Sequence, residues 1–475
     1  MKVDRVVRGQ NVVVLGLARQ GTALARWLVD HGAQVTVSDA KPAAELSDAL
    51  HALRGSPVRY ELDGHPLSLL DRCDLLCLSG GVPTDLPIVQ EARKRGIPLA
   101  NDAQLFLERC PAKAIGITGS AGKTTTTALV GEMGRSKSAT GASATGVASY
   151  RVWVGGNIGN PLIADLDSMA SSDLVVMELS SFQLELMTVS PPVAALLNVT
   201  PNHLDRHASM DAYIAAKARI LDFQSPQDTA VIGYDDAVAR SLASRATGAV
   251  RFFGAGDWSR LPRLPHCTVK GDQVVLVKDR DTSVCALSDI RLRGGHNVLN
   301  VLAACALADA VGISTEAMRS AISSFTGVSH RLQLVKEVNG VRYYDDSIAT
   351  APERLIADIQ SFHEPIVLLA GGRDKHLPWD DAAELINRRV RQLIVFGEMA
   401  ELVERAVTVK RSEIGDSGAL EGLHRVGTLA EAVAKAAEAA RPGDVVLLAP
   451  GGTSFDAFKD FAERGDKFQE YVRGL

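Results

Sequence analysis

Cysteine is scarce in this chain of 475 residues. The six are Cys73, Cys77, Cys110, Cys267, Cys285 and Cys305, with no CxxC pair and no His/Cys ladder of zinc spacing. That scatter excludes a disulfide framework and a zinc-ribbon scaffold, and it predicts a reduced, cytoplasmic chain. Long apolar runs are missing too: nothing approaches the ~20 residues that span a bilayer. The apolar stretch that follows the charged start MKVDRVVRGQ is too short for the core of a secretory signal. Nor is there an excess of one charge. A net charge of −5 offers no electrostatic case for nucleic acid or an anionic membrane surface. Internal repeats, low-complexity tracts and charged tails are absent.

What is present is the composition of a soluble globular protein, 46% hydrophobic and 23% charged. At about 150 residues per domain the length predicts three domains. Boundaries are expected to give 1–110, 111–326 and 327–475.

The first segment reads as half of a dinucleotide fold. VVVL at 12–15 is a buried strand, GLARQG at 16–21 a glycine-punctuated turn, 22–30 a helix and 34–38 a second strand. That second strand runs into Asp39, roughly where such folds place a ribose-binding carboxylate. The turn is GxxxxG and not GxGxxG, so a turn that only joins strand to helix explains it equally well. Further strands are expected at 75–78 and near 97–99, and Cys110-Pro111 marks a boundary.

The second segment opens on the strand 114–118, followed by strands at 174–178 and 193–198 and an Ala/Leu-rich helix at 298–311. Between them, 233–288 is polar and weakly patterned. In the third segment, strands at 341–344, 366–369, 393–396 and 445–448 alternate with helices at 351–360, 381–388 and 429–440. Such alternation is the pattern of a doubly wound parallel sheet. The predicted fold is therefore α/β: a Rossmann-like first domain, a central P-loop-type domain and a Rossmann-like third domain.

The strongest local signal is GITGSAGKT at 116–124. A strand delivers the chain to a glycine-rich turn, so the backbone N–H groups of Gly119, Ser120, Ala121 and Gly122 can face an anion. The helix beginning nearby at Lys123, Thr124 and Thr125 adds the positive end of its dipole. Lys123 is placed to neutralise β- and γ-phosphates, and Thr124 can offer a hydroxyl to Mg²⁺. A chance Gly/Lys/Thr turn is the plain alternative, and the strand before and helix after weigh against it. Downstream, Glu178 closes an apolar strand where α/β folds place their sites, and burying a carboxylate without a partner is costly. His203 follows another apolar strand and reads plainly as a hydrogen-bonded loop residue. Lys217 reads plainly as a solvated helix lysine. Spacing alone does not make these three a site.

The strings GITGSAGKTTT, VMELSSFQLE, NVTPNHLDRH, AAKARIL, HNVLNVLAA, SHRLQ, DDSIATAP and GGRDK occur in an order that resembles the Mur ligase family, over nearly the whole chain. VLGLARQG, SDAKP, SGGVP and TSFDAFKDFAERGDKF resemble its glutamate-adding members. The resemblance implies an ATP-dependent ligase that joins glutamate, D-glutamate first among candidates, to UDP-N-acetylmuramoyl-L-alanine through an acyl phosphate. It implies ATP and Mg²⁺ as cofactors, a monomer, and no nucleic-acid or membrane partner. By the same resemblance, Lys123, Glu178, His203 and Lys217 are catalytic, with Mg²⁺ held near Thr124 and Glu178. A second Mg²⁺ is expected on His203 and a carbamylated Lys217. Asn297 and Asn300 are expected at adenine, and Arg331 and Asp346 at the nucleotide from the third domain. The sugar nucleotide is expected near Arg19, Gln20, Asp39, Lys41, Gly81, Asn157 and His203. Glutamate is expected near Thr350, Lys375, Ser454, Phe455 and Phe461, of which the two phenylalanines read equally well as core residues. Two departures from the family pattern are Ala121, where many members carry a polar residue, and Ile348, where many glutamate-adding members carry Lys. The rivals are a folate-lengthening ligase, which lacks the first domain, the L-alanine-adding sibling, and a regulatory protein that kept the loop but lost the chemistry.

Overall fold

The computed structural model describes residues 7–141, 150–157, 159–201, 206–207, 209–256, 258, 265–414 and 418–475. The chain forms two compact units. One is Met1–Arg291 with Gly295–Phe325, and the other is Leu292–Gly294 with Thr326–Leu475.

The first unit holds two sheets. Strands β1 (Asn11–Leu15), β2 (Gln34–Ser38), β3 (Val58–Glu61), β4 (Leu75–Leu78) and β5 (Leu99–Ala100) form a parallel sheet in the order β3-β2-β1-β4-β5. The strand β1 is almost wholly apolar because it is central and covered on both faces. The turn after it is as tight as its glycines suggest: a Cβ on Gly21 would stand 1.9 Å from the Gly16 carbonyl oxygen. Only a residue without a side chain lets helix and strand approach so closely.

The second sheet contains β6 (Lys113–Thr118), β7 (Val152–Gly156), β8 (Leu174–Glu178), β9 (Val193–Leu196), β10 (Thr229–Gly233), β11 (Ala249–Phe253), β12 (His266–Lys270), β13 (Gln273–Val277) and β14 (Asp281–Ala286). Their order is β14-β13-β12-β11-β10-β9-β6-β8-β7. From β7 to β12 the neighbours run parallel, and β12-β13-β14 close the sheet as an antiparallel meander. Four strands thus lie within or beside the polar stretch 233–288, whose weak pattern follows from half-exposed strands such as β14. The strand β6 sits between β8 and β9, the point where the winding direction reverses. Crevices at the carboxyl ends of strands open at such reversals, and ligands bind there.

A polar seam, buried at Asn101, Gln104 and Gln183 and open to solvent at Thr188, joins the two sheets of this unit. Asn101 Nδ2 donates to Gln183 O at 2.8 Å, and Gln104 Nε2 donates to Thr188 Oγ1 at 3.1 Å. The Thr188 backbone N–H donates to Gln104 Oε1 at 3.1 Å, and Thr84 Oγ1 donates to Glu185 Oε1 at 2.7 Å.

The second unit has one sheet of β15 (Gln333–Val338), β16 (Val341–Asp345), β17 (Ile366–Gly371), β18 (Val390–Phe396), β19 (Gly422–Arg425) and β20 (Val445–Gly451). Its order is β15-β16-β20-β17-β18-β19, parallel except for the β15-β16 hairpin. Buried Val, Leu and Ile of β17, β18 and β20 supply the core between flanking helices.

Candidate active site

The strand β6 delivers the chain to Gly119, and the helix Lys123–Gly141 begins four residues later. Gly122 has φ +84°, and a Cβ there would lie 2.3 Å from Asn300 Oδ1. The loop is pinned from the neighbouring strand end. Ser120 N donates to Asn198 O at 3.0 Å, Ala121 N donates to Asn198 Oδ1 at 2.8 Å, and Asn198 Nδ2 returns to Ala121 O at 3.1 Å. This pairing uses the Ala121 backbone alone, so the absence of a polar side chain at that position leaves the cradle intact. Ser120 Oγ accepts from Thr200 N at 2.9 Å and bonds Thr200 O at 2.8 Å. Lys123 folds back on its own loop, its Nζ donating to Gly119 O at 2.8 Å and Ser120 O at 3.2 Å. An anion in the cradle would offer that ammonium a charged acceptor, a stronger partner than a carbonyl.

Glu178 ends β8 one strand away and is 2% exposed. Its two oxygens are divided: Thr124 Oγ1 donates to Oε2 at 2.8 Å, and Asn157 Nδ2 donates to Oε1 at 2.9 Å. Asn157 N also donates to Glu178 O at 2.9 Å, which locks the end of β7 to the end of β8. Strand register accounts for this meeting, since Gly156 and Ile117 both stand opposite Glu178.

The reading of Lys217 as a solvated lysine does not hold. It is 1% exposed, and its Nζ donates to Gly119 O at 2.9 Å. Two amines, of Lys123 and Lys217, therefore share one carbonyl oxygen. Burial, with help from the Lys123 charge and against the pull of Glu178, brings the Lys217 pKa down to about 7. His203 lies outside the described residues. Among the described residues no three His, Cys, Asp or Glu side chains stand together as a metal cluster.

Behind the loop is a cavity of about 160 Å³ lined by Gly122, Asp235, Asp236, Phe253, His296 and Asn300, among others. Asn300 Nδ2 donates to Asn297 Oδ1 at 2.9 Å, so the two asparagines expected at adenine stand together. Asp235, Asp236 and His296 were not singled out by the sequence; only the cavity identifies them.

On the first sheet, Gln20 Oε1 accepts from Gly80 N at 3.2 Å, and its Nε2 lies 3.5 Å from Gly156 O, beside Asn157. Asp39 accepts from Leu17 N at 2.6 Å and Lys41 N at 2.9 Å. Gly81 O accepts from Arg206 at 3.1 Å. Arg19 and the Lys41 side chain are exposed, the latter 3.7 Å from Glu45.

In the second unit, considered by itself, Lys375 Nζ donates to Thr350 Oγ1 at 3.0 Å. Asp346 is buried, accepts from Leu332 N at 3.0 Å, and is held above the usual carboxylate range by burial. Arg331 is half-buried, and its charge opposes that shift. Ile348 N donates to His330 O at 3.2 Å, a backbone contact open to any side chain. Ser454 is buried, whereas Phe455 is 59% and Phe461 36% exposed, which argues against core roles for the two rings. Arg464 escaped the sequence reading: it is fully buried and donates to Ser347 Oγ at 3.0 Å, Ser347 O at 2.8 Å and Gly452 O at 3.1 Å. A charged residue in a helix gives no sign of such burial.

Three family models match the chain: the MurD-like N-terminal domain of Mur ligases over 10–101, the Mur ligase middle domain over 117–308, and the Mur ligase glutamate ligase domain over 330–452. The UDP-N-acetylmuramoylalanine–D-glutamate ligase of Symbiobacterium thermophilum is 40% identical, with 98% of each chain covered. The enzyme of the same name from Acetivibrio thermocellus is 37% identical, over 99% of this chain and 97% of that one. Among solved structures, the UDP-N-acetylmuramate-alanine ligase of Thermotoga maritima is 19% identical with a TM-score of 0.55, covering 98% of this chain and 99% of that one.

Proposed function

Since this chain belongs to the Mur ligase family, we propose that it joins D-glutamate to UDP-N-acetylmuramoyl-L-alanine at the expense of ATP, in peptidoglycan synthesis. The carboxylate of the sugar nucleotide attacks the γ-phosphorus and ADP leaves, giving an acyl phosphate. The amino group of glutamate then attacks the acyl carbon, loses a proton, and expels inorganic phosphate. Neither step demands a protein nucleophile. The chain's task is to orient the reactants, neutralise charge and exclude water.

The observation that carries this reading is the meeting at the end of β6. The cradle Gly119–Gly122, the cation of Lys123, and the linked Thr124, Glu178 and Asn157 converge there. On this reading Lys123 exchanges Gly119 O and Ser120 O for phosphate oxygens, the helix N-terminus at Thr124 and Thr125 supports the triphosphate, and the cavity beside Asn297 and Asn300 takes the base. Mg²⁺ would supply charge neutralisation when bound, and the hydroxyl of Thr124 with the carboxylate of Glu178 are the hard oxygen donors it prefers. A lysine whose amine is half free near pH 7 can add carbon dioxide, so Lys217 is chemically suited to carbamylation and, with His203, to a second Mg²⁺. The ends of β1, β2 and β4, with Arg19, Gln20, Asp39, Lys41 and Gly81, form the seat for the nucleotide of the sugar. Glutamate falls to Thr350, Lys375, Ser454, Phe455 and Phe461, and Arg331 and Asp346 serve ATP. A monomer in the cytoplasm is part of the same proposal.

The test is phosphate release from ATP with UDP-N-acetylmuramoyl-L-alanine, comparing D-glutamate, L-glutamate and L-alanine. Release dependent on D-glutamate supports the proposal. Release only with L-glutamate would reassign the amino acid, and release only with UDP-N-acetylmuramate and L-alanine would reassign the chain to the sibling ligase.

A further inference from the structure

The loop that follows β3 turns back across the end of β2. Asp63 and Gly64 both have positive φ, at +65° and +147°, and Gly64 N donates to Asp39 O at 3.1 Å. This return places His65 against Ser38, the last residue of β2, with Nδ1 2.7 Å from Ser38 Oγ. The fully buried Ser38 hydroxyl also lies 2.9 Å from Gly64 O, which can only accept. A hydroxyl carries one hydrogen. Ser38 gives it to Gly64, so it must accept from His65, and the proton of a neutral ring sits on Nδ1. The lone pair is then on Nε2, and among the described residues nothing bonds to that nitrogen. Burial holds the pKa of His65 below the usual histidine value, against the nearby charge of Asp39, so the ring is neutral at pH 7.

We propose that His65 is a binding residue for the sugar nucleotide, its Nε2 accepting a hydrogen bond from the nucleoside. This rests on the function proposed above, and it assigns the nucleoside end by chemistry. The oxygens of a diphosphate are acceptors and have nothing to give a bare nitrogen lone pair. Ribose hydroxyls and the uracil N3–H are donors. Asp39, where the sequence pattern puts the ribose contact, already holds Leu17 N and Lys41 N with its two oxygens. His65 supplies the acceptor with no protein donor on it at the same strand end.

Binding of UDP, 2′-deoxy-UDP and N3-methyl-UDP to the full chain, measured by titration calorimetry, tests the idea with wild type, His65→Phe and His65→Gln. One neutral hydrogen bond is worth about 0.5–1.5 kcal/mol. His65→Phe should therefore weaken UDP roughly threefold to tenfold, whereas His65→Gln, whose amide oxygen can stand near the Nε2 position, should restore most of it. The analogue lacking the partner donor should bind wild type more weakly and lose nothing further in His65→Phe; loss with the deoxy or the methyl compound identifies ribose or base. In turnover, KM for the sugar nucleotide should rise by the same factor with kcat unchanged. Equal weakening of UDP and both analogues by His65→Phe would mean a structural role and overturn the proposal, as would unchanged UDP affinity. Failure of the ligase reading itself would instead show as wild type without glutamate-dependent phosphate release.

Discussion

Replacing Asp102 with asparagine should stabilise the first unit, by an amount that grows with pH. Asp102 opens the helix Asp102–Arg109 beside the seam between the two sheets and is 3% exposed. Its Oδ1 has no hydrogen-bond partner among the described residues. Burial pushes its pKa from the ordinary 3.8 up to about 6, against the pull of the Gln183 side chain and the Ala103 and Asp102 backbone N–H groups. The sign follows from which state releases its proton first. The unfolded chain ionises near 3.8, and the folded chain holds the proton until about 6. Stability is thus full below 3.8, falls as pH rises through that window, and stays low above it. At about 1.4 kcal/mol per pH unit, the gap between the two values amounts to about 3 kcal/mol. Asparagine cannot ionise and escapes that penalty, although its NH₂ group needs an acceptor and gives back about 1 kcal/mol. Urea titrations of wild type and Asp102→Asn at pH 8, 6 and 4 measure the difference directly. The variant should be ahead by about 2 kcal/mol at pH 8, and the advantage should shrink by about 2–3 kcal/mol at pH 4. A difference that stays constant across this range would refute the reasoning, whatever its size.

Lys123→Ala should lower kcat for phosphate release about a thousandfold, because the transferred phosphoryl group loses its principal cation; a wild-type rate would remove the loop from the mechanism. Gly122→Ala places a β-carbon on Asn300 and forces a left-handed backbone costing about 1–2 kcal/mol. KM for ATP should rise about tenfold, and an unchanged KM would separate the loop from the base cavity. Lys217→Ala should be inactive and partly recover with added short-chain carboxylic acids, which supply the oxygen ligand a carbamate would have provided; absence of rescue would count against carbamylation and leave the fold untouched.

Much of this arrangement was legible in the residues. The runs VVVL, AIGIT, LVVME and VVLL announce central parallel strands because both faces of such strands are covered. The loop 119–124 and the acid ending β8 follow from strand ends meeting at a reversal of winding. The meander β12–β14 was not legible, since short antiparallel strands with exposed polar residues lack a strong apolar rhythm. The burial of Lys217 was invisible for another reason: its acceptor, Gly119 O, is 98 residues away in sequence. His65 was equally silent, for its tautomer is fixed by the hydroxyl of Ser38 at the end of β2, 27 residues away in sequence. Local patterns report which face a residue occupies, and long-range pairing decides what it does there.

The seam of Asn101, Gln104, Gln183 and Thr188 has a consequence for ligand length. Because these hydrogen bonds tie the first sheet to the segment just beyond Glu178, they set the span between the proposed nucleotide seat and the proposed phosphate cradle, which then works as a gauge. On the proposed function, a molecule must reach from one end of that gauge to the other before its carboxylate can meet ATP. A fragment without its uridine could fill the reacting end and still be held by only one of its two anchors.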